Sequence, residues 1–218
     1  MVFSIFMNSN ISFQSRINFV SPKEFSQIKI KNRSKFISWG EDSPLYVKNG
    51  IFDTADIKTC TGGLFTDGVF EALGFHWLDD IKNYFCLDRM CDDVFNVFKN
   101  SDINGLIVGG KDLEYRQYSL KITDKVIDYF KKKVKHLTIF QEHNTIFGQT
   151  SYLYILKNDT CTICAGYTDK NGYYQNVQNL KDLKRCYKRI IIADNDVICF
   201  NGVEVPREKL KQFYRKSK

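Results

Sequence analysis

Residues 52–78 read FDTADIKTCTGGLFTDGVFEALGFHWL, and the way this stretch pairs with itself decides how the rest of the chain is read. TCTGGLF (59–65) and VFEALGFHW (69–77) have the make-up of strands, and Thr66-Asp67-Gly68 between them predicts a turn, because Asp-Gly is among the strongest short-range hairpin signals. Antiparallel pairing about a turn centred near Gly68 sets Cys60 opposite residue 75 or 76, where facing Cβ atoms lie roughly 4.5 to 5.5 Å apart. A register slip of one residue would send the Cys60 and His76 side chains to opposite faces, and Gly62 and Gly63 suit a bulge that would settle the register. A thiol beside an imidazole ionises near neutral pH, which a cysteine nucleophile requires. Gly62 and Gly63 bare the backbone just after the sulfur, so the N–H groups of Thr61, Gly62 and Gly63 are the expected donors to a developing oxyanion. Against this stands the plainer reading, two buried side chains in a core, since free cysteine is among the most often buried residue types.

Outward from the hairpin, Ser21-Pro22-Lys23-Glu24 has the form of a capping box with proline at the first helical position, and predicts a short helix running toward Ile28. ISFQSRINFV before it alternates like a strand. Between Asp79 and Asn100 apolar residues recur three and four apart, with Val94, Val97 and Phe98 on one face of a predicted helix. INGLIVGG (103–110) is a short buried strand ending in two glycines. A second helix is predicted over about Ser119 to Val134, lined by Leu120, Ile127, Phe130 and Val134. HLTIFQ (136–141) is a strand, SYLYILKN and TCTICAGY form a hairpin around Asn158-Asp159, and IIIADNDVICFNGVEV supplies another pair of strands. The residues past Pro206 predict a basic helix. Two helices among many strands imply an α/β sandwich with a central, mostly antiparallel or mixed sheet flanked by helices.

At 218 residues, with 43% hydrophobic and 15% aromatic content, the chain can fill one sizeable core, and three prolines with no low-complexity run leave no linker. One domain over 1–218 is expected, with 1–50 as an N-terminal elaboration. No apolar run is long enough to cross a bilayer as a helix, and MVFSIFMNSN lacks the basic leader and cleavage site of a signal peptide, so no membrane partner is expected. Seven cysteines, an odd number scattered through predicted elements, fit free thiols in a reducing cytosol. Cys161 and Cys164 in CTIC have redox or zinc-like spacing, but on a strand they face opposite ways and no second pair completes four ligands, so no metal is expected. The net charge of +7 gathers in KKKVK (131–135), KDLKRCYKR (181–189) and the C-terminal REKLKQFYRKSK, where it reads as solvated faces; no zinc-finger or RNP-type pattern supports a nucleic acid partner.

Thr54, six residues before Cys60, and His76 on the next strand resemble the pattern of the cysteine-dependent protein glutamine deamidases: the chemotaxis receptor deamidase CheD, the catalytic domain of cytotoxic necrotizing factors and Burkholderia lethal factor. The likeness to the CheD type continues through INGLIVGG, SLKITDKVIDYF and HLTIFQEHNTIFGQ with Gly148, and covers about residues 50–165, taken as 51–165 for the catalytic core. Thr59 stands where the family usually has serine or glycine. The resemblance implies a Cys60 nucleophile, His76 as acid and base and Thr54 orienting the histidine. It implies a protein substrate with an accessible glutamine and no cofactor. A straight strand from Thr54 to Cys60 would hold them roughly 20 Å apart, so the chain is expected to fold back through ADIK. His136 and His143 are rival histidines, His143 in a loop that would meet substrate; Phe75 and Trp77 read as packing. The chain is expected in a bacterial cytoplasm, reaching a host cell by a route other than a cleaved signal, as a toxin or effector acting on a translation initiation factor or a small GTPase. A chemoreceptor deamidase, a cysteine protease or acyltransferase, and a non-catalytic binding module are the alternatives.

Overall fold

The computed structural model describes residues 15–32, 35–36, 44–48, 51–67, 71–98, 103–111, 113, 116–143, 149–155 and 160–214. Its centre is the predicted hairpin, β5 (Thr61–Thr66) and β6 (Glu71–Trp77). The observed register pairs Gly62 with His76 and Thr66 with Ala72, which centres the turn one residue later than expected and moves the partner of each β5 residue by two. The cause is a longer loop: Asp67 N–H donates to Glu71 O at 3.2 Å and Glu71 N–H to Asp67 Oδ1 at 2.9 Å, closing the turn around 68–70, which lie outside the described residues. A shift of two keeps every side chain on its expected face.

The single sheet expected from sequence is two. One holds six strands in the order β12 (Tyr187–Ile191), β8 (His136–His143), β7 (Asn104–Gly109), β5, β6 and β3 (Leu45–Lys48). The other holds eight: β14 (Val203–Glu204), β13 (Val197–Phe200), β1 (Arg16–Phe19), β10 (Thr160–Thr168), β9 (Gln149–Ile155), β4 (Ile51–Ile57) and β2 (Lys35–Phe36), with β11 (Tyr174–Asn176) paired to β10. Both sheets are mixed: β1 runs parallel to β10 and β13, and β7 to β8, while the hairpins are antiparallel. The IIIADNDVICF segment therefore splits, β12 joining the six-stranded sheet and β13 the eight-stranded one.

Alternation along the strands separates the layers. On β6, Ala72 and His76 face the other sheet, whereas Leu73, Phe75 and Trp77 face outward. The inter-sheet core holds Phe19, Ile57, Leu64, Val108, Phe140 and Ile163, with Phe19 edge-on to Phe140 at 5.5 Å. Outside the six-stranded sheet, α2 (Ile81–Val97) and α3 (Gln117–Lys133) cover the second core, where Phe75 stacks on Trp77 at 3.7 Å, as expected of packing residues. Each large side chain so buried contributes about 1.5 to 3 kcal/mol. On α2, Val94 and Phe98 are buried as predicted, but Val97 is 38% exposed. Outside the eight-stranded sheet lies α1 (Pro22–Asn32), capped by Ser21 Oγ, which accepts from Glu24 N at 3.3 Å; the helix extends a turn past Ile28. Its Phe25 and Ile28 pack with Val20 and Cys164, while Cys161 on the same strand faces the inter-sheet core. The layers run helix, sheet, sheet, helices, with α4 (Leu180–Cys186) sending Leu183 and Cys186 into the inter-sheet core. The basic helix past Pro206 is one turn, α5 (Arg207–Leu210), followed by a 3-10 turn at Lys211–Phe213. Among the described residues no helix is long and apolar enough to cross a membrane. Gln14 and the residues before it, the Asn158-Asp159 turn and the Gly148 loop lie outside the described residues.

Candidate active site

The chain passes from one sheet to the other between Ile57 and Thr61, and Cys60 lies in that crossing. β4 does not fold back through ADIK: it stays a strand to Ile57, and the reversal follows at Lys58–Cys60. The roughly 20 Å separation supposed one straight strand, whereas β4 and β5 belong to facing sheets. β4 carries a bulge. Thr54 pairs with Tyr152 and Ile57 with Thr150, so three steps on β4 match two on β9. The extra residue lets both Thr54 and Ile57 face inward. Asp53 points the other way and pairs with Lys29 of α1 at 2.5 Å.

Facing inward, Thr54 meets β6 of the opposite sheet: Thr54 Oγ1 and His76 Nδ1 are 2.8 Å apart and hydrogen-bonded, with His76 1% exposed and Thr54 fully buried. The bond spans the two sheets. Cys60 is not opposite residue 75 or 76, the register the sequence predicted; Gly63 and Gly62 are, and Cys60 lies in the bend one residue before β5. Cys60 is half-buried, whereas the imidazole is enclosed.

The expected oxyanion donors are spent elsewhere. β5 is flanked on both sides, and Thr61, Gly62 and Gly63 are paired with Trp77, His76 and Phe75 on β6 and with Gly109, Val108 and Ile107 on β7. The Asp67–Glu71 and Gly110–Cys60 bonds fix the ladder phase, which turns the Thr61 and Gly63 N–H groups toward β6 and that of Gly62 toward β7. Nor is the backbone bare. A Cβ on Gly62 would lie 2.3 Å from Ile57 Cδ1, and one on Gly63 would enter the Phe75 ring at 2.2 Å. These glycines admit neighbouring side chains.

The residue whose charge bears most on the thiol is Asp79, in the link between β6 and α2. Burial pushes the Cys60 thiol up to about 11, with the nearby Asp79 carboxylate adding to the rise; the Asp79 N–H, the Thr59 hydroxyl and Arg116 pull against it. The resting thiol therefore keeps its proton at neutral pH and needs a base to attack.

Several residues that sequence reading passed over hold the crossing in place. Gly110 N–H donates to Cys60 O at 3.1 Å. Gly109 has φ +108°, and a Cβ there would stand 2.1 Å from Cys60 O. Ser119 of α3 donates to Thr59 O and accepts from Lys111 N at 2.8 Å, and Thr61 Oγ1 bonds Thr123 Oγ1 at 2.6 Å. The Gly-Gly ending INGLIVGG was the visible sign of this cradle. Ser119 and Thr123, polar residues on the buried face of a predicted amphipathic helix, were the other.

His136 sits at the far end of β8, opposite Asn104, with Nδ1 3.4 Å from Asp194 Oδ1; Cys60 lies past the other end of β7. His143 closes β8 opposite Tyr187 instead of lying in a loop. Comparison with protein-family models and with curated proteins returns no match for this sequence.

Proposed function

We propose that this chain is a cysteine-dependent protein glutamine deamidase with a CheD-like or necrotizing-factor-like sandwich. The observation that carries the reading is the hydrogen bond between Thr54 and His76, a pair 22 residues apart on facing sheets, with a half-buried cysteine in the crossing that leads into β5. A buried histidine held through Nδ1 has a fixed ring orientation, as a base serving a neighbouring nucleophile requires. In the tautomer whose Nδ1–H donates to Thr54 Oγ1, Nε2 carries the lone pair a base needs.

His76 takes the Cys60 proton as the sulfur attacks the carboxamide carbon of a glutamine side chain. The Asp79 N–H steadies the charge on sulfur while it forms. The C–N bond then breaks, His76 returns the proton to nitrogen, and ammonia leaves a thioester on Cys60. A water gives a proton to His76 and adds to the thioester carbonyl; the C–S bond breaks, the thiol is restored, and glutamine has become glutamate. Glutamine and water in, glutamate and ammonia out, the sequence balances without metal or cofactor.

The proposed substrate is a host protein, a translation initiation factor or small GTPase, met after the chain leaves a bacterial cytoplasm. Incubation with host lysate should place a one-dalton gain on a glutamine of one protein, with ammonia released, and Cys60→Ala should abolish both. Cleaved or acylated products would favour a protease or acyltransferase, and activity surviving Cys60→Ala would end the reading.

A further inference from the structure

Asp79 occupies a place that neither the fold nor the chemistry above accounts for. It follows His76 by three residues and leaves the capping of α2 to Asp80, whose carboxylate accepts from Asn83 N at 2.7 Å. The Asp79 side chain is buried, the residue being 8% exposed. Arg116 Nη1, half-exposed, reaches Oδ1 at 3.7 Å, while Oδ2 is enclosed with no hydrogen-bond partner among the described residues. Folded proteins rarely leave a carboxylate oxygen in that condition, because it has given up water and received nothing in return. The carboxylate also opposes the attack, since it makes the thiol beside it harder to ionise. Its use therefore lies with what is attacked.

We propose that Asp79 Oδ2 accepts an N–H of the primary carboxamide entering beside Cys60, and so selects carboxamides over carboxylates and over substituted amides. This rests on the carboxamide reading of the site given above. A glutamine amide offers two N–H donors on one nitrogen and a carbonyl acceptor. One N–H on Oδ2 orients the group beside the Cys60 sulfur. Glutamate, the product, sets carboxylate against carboxylate and is expelled. A peptide bond has one N–H and a bulky substituent on nitrogen, so the same contact turns the site away from proteolysis.

Alkylation of Cys60, followed by mass spectrometry of its peptide, tests this without requiring turnover. Iodoacetamide is itself a primary carboxamide; its N,N-dimethyl derivative has no N–H and iodoacetate is charged. Each rate is divided by that of the same reagent with the urea-unfolded chain. The folded protein should then prefer iodoacetamide to the dimethyl reagent by about tenfold, and Asp79→Ala should erase the preference. Asp79→Asn, which removes the charge and keeps a carbonyl acceptor, should raise the relative rate of iodoacetate by about tenfold. Equal normalised rates for the two neutral reagents in the folded wild type overturn the proposal, whatever the variants do. Preference without ammonia release would refute deamidation and leave the role of Asp79 standing; ammonia release without preference would do the reverse.

Discussion

The bond between Thr54 and His76 controls what the imidazole can do, because it orients a ring that is 1% exposed and enclosed between the sheets. Thr54→Val keeps the shape and removes the hydroxyl, stranding Nδ1 in a buried site at a cost of about 1 to 3 kcal/mol. Ammonia release should fall about ten- to a hundredfold in kcat/KM, the acid limb of its pH profile should move, and Thr54→Ser should restore most of both. Loss of melting temperature with an unmoved pH profile would reduce Thr54 to a packing residue. At this scale spacing singled out Thr54 and His76, which are hydrogen-bonded, but set Cys60 opposite residue 75 or 76, where Gly63 and Gly62 stand because the turn is longer than Asp-Gly alone predicts. It was silent on Asp79, which stands in a doublet with Asp80 before a helix, where an N-cap is the ordinary reading of either.

Among the elements, the crossing between β4 and β5 owes its shape to residues distant in sequence. Gly109 shows this most directly, since its φ of +108° and the 2.1 Å that would separate a Cβ at this position from Cys60 O exclude any side chain. Gly109→Ala must displace the Cys60 carbonyl or bend β7, so urea unfolding should show a loss of about 2 to 4 kcal/mol. The alkylation rate of Cys60 should change in native buffer before any global unfolding is detectable. An alanine variant with wild-type stability and thiol reactivity would show that the cradle does not position the sulfur. Helices were readable because their period is local: α2 and α3 lie within a few residues of where periodicity placed them. Sheet membership was not, since alternation marks a strand without naming its neighbour, which is why β12 and β13, adjacent in sequence, were expected together and lie in different sheets.

In the whole molecule, the core between the sheets and the helix-covered cores outside them enclose most of the thiols, and this sets how stability responds to alkali. Burial raises Cys60 and Cys164 to about 11 each, and Cys91 and Cys186 further still. In the unfolded chain a thiol loses its proton near about 8.5. Between that value and about 11 the folded chain holds protons that the unfolded chain has released, so stability is intact below the window and falls as pH rises through it. Lys111 acts in the opposite sense: burial lowers it to about 8, so above that pH the unfolded chain keeps a proton the folded chain has lost, which favours folding as pH rises. Burial raises Cys199 as well, so one lysine stands against five cysteines, and the thiols prevail. In the presence of a reductant, the thermal midpoint should be nearly flat from about pH 6 to 8 and drop by about 5 °C or more by pH 10. Cys186→Ala, which removes one of the most deeply buried thiols, should make that drop shallower even if it lowers the midpoint at neutral pH. A midpoint that climbs between pH 8 and 10 would mean that the thiols are not enclosed as the packed layers require.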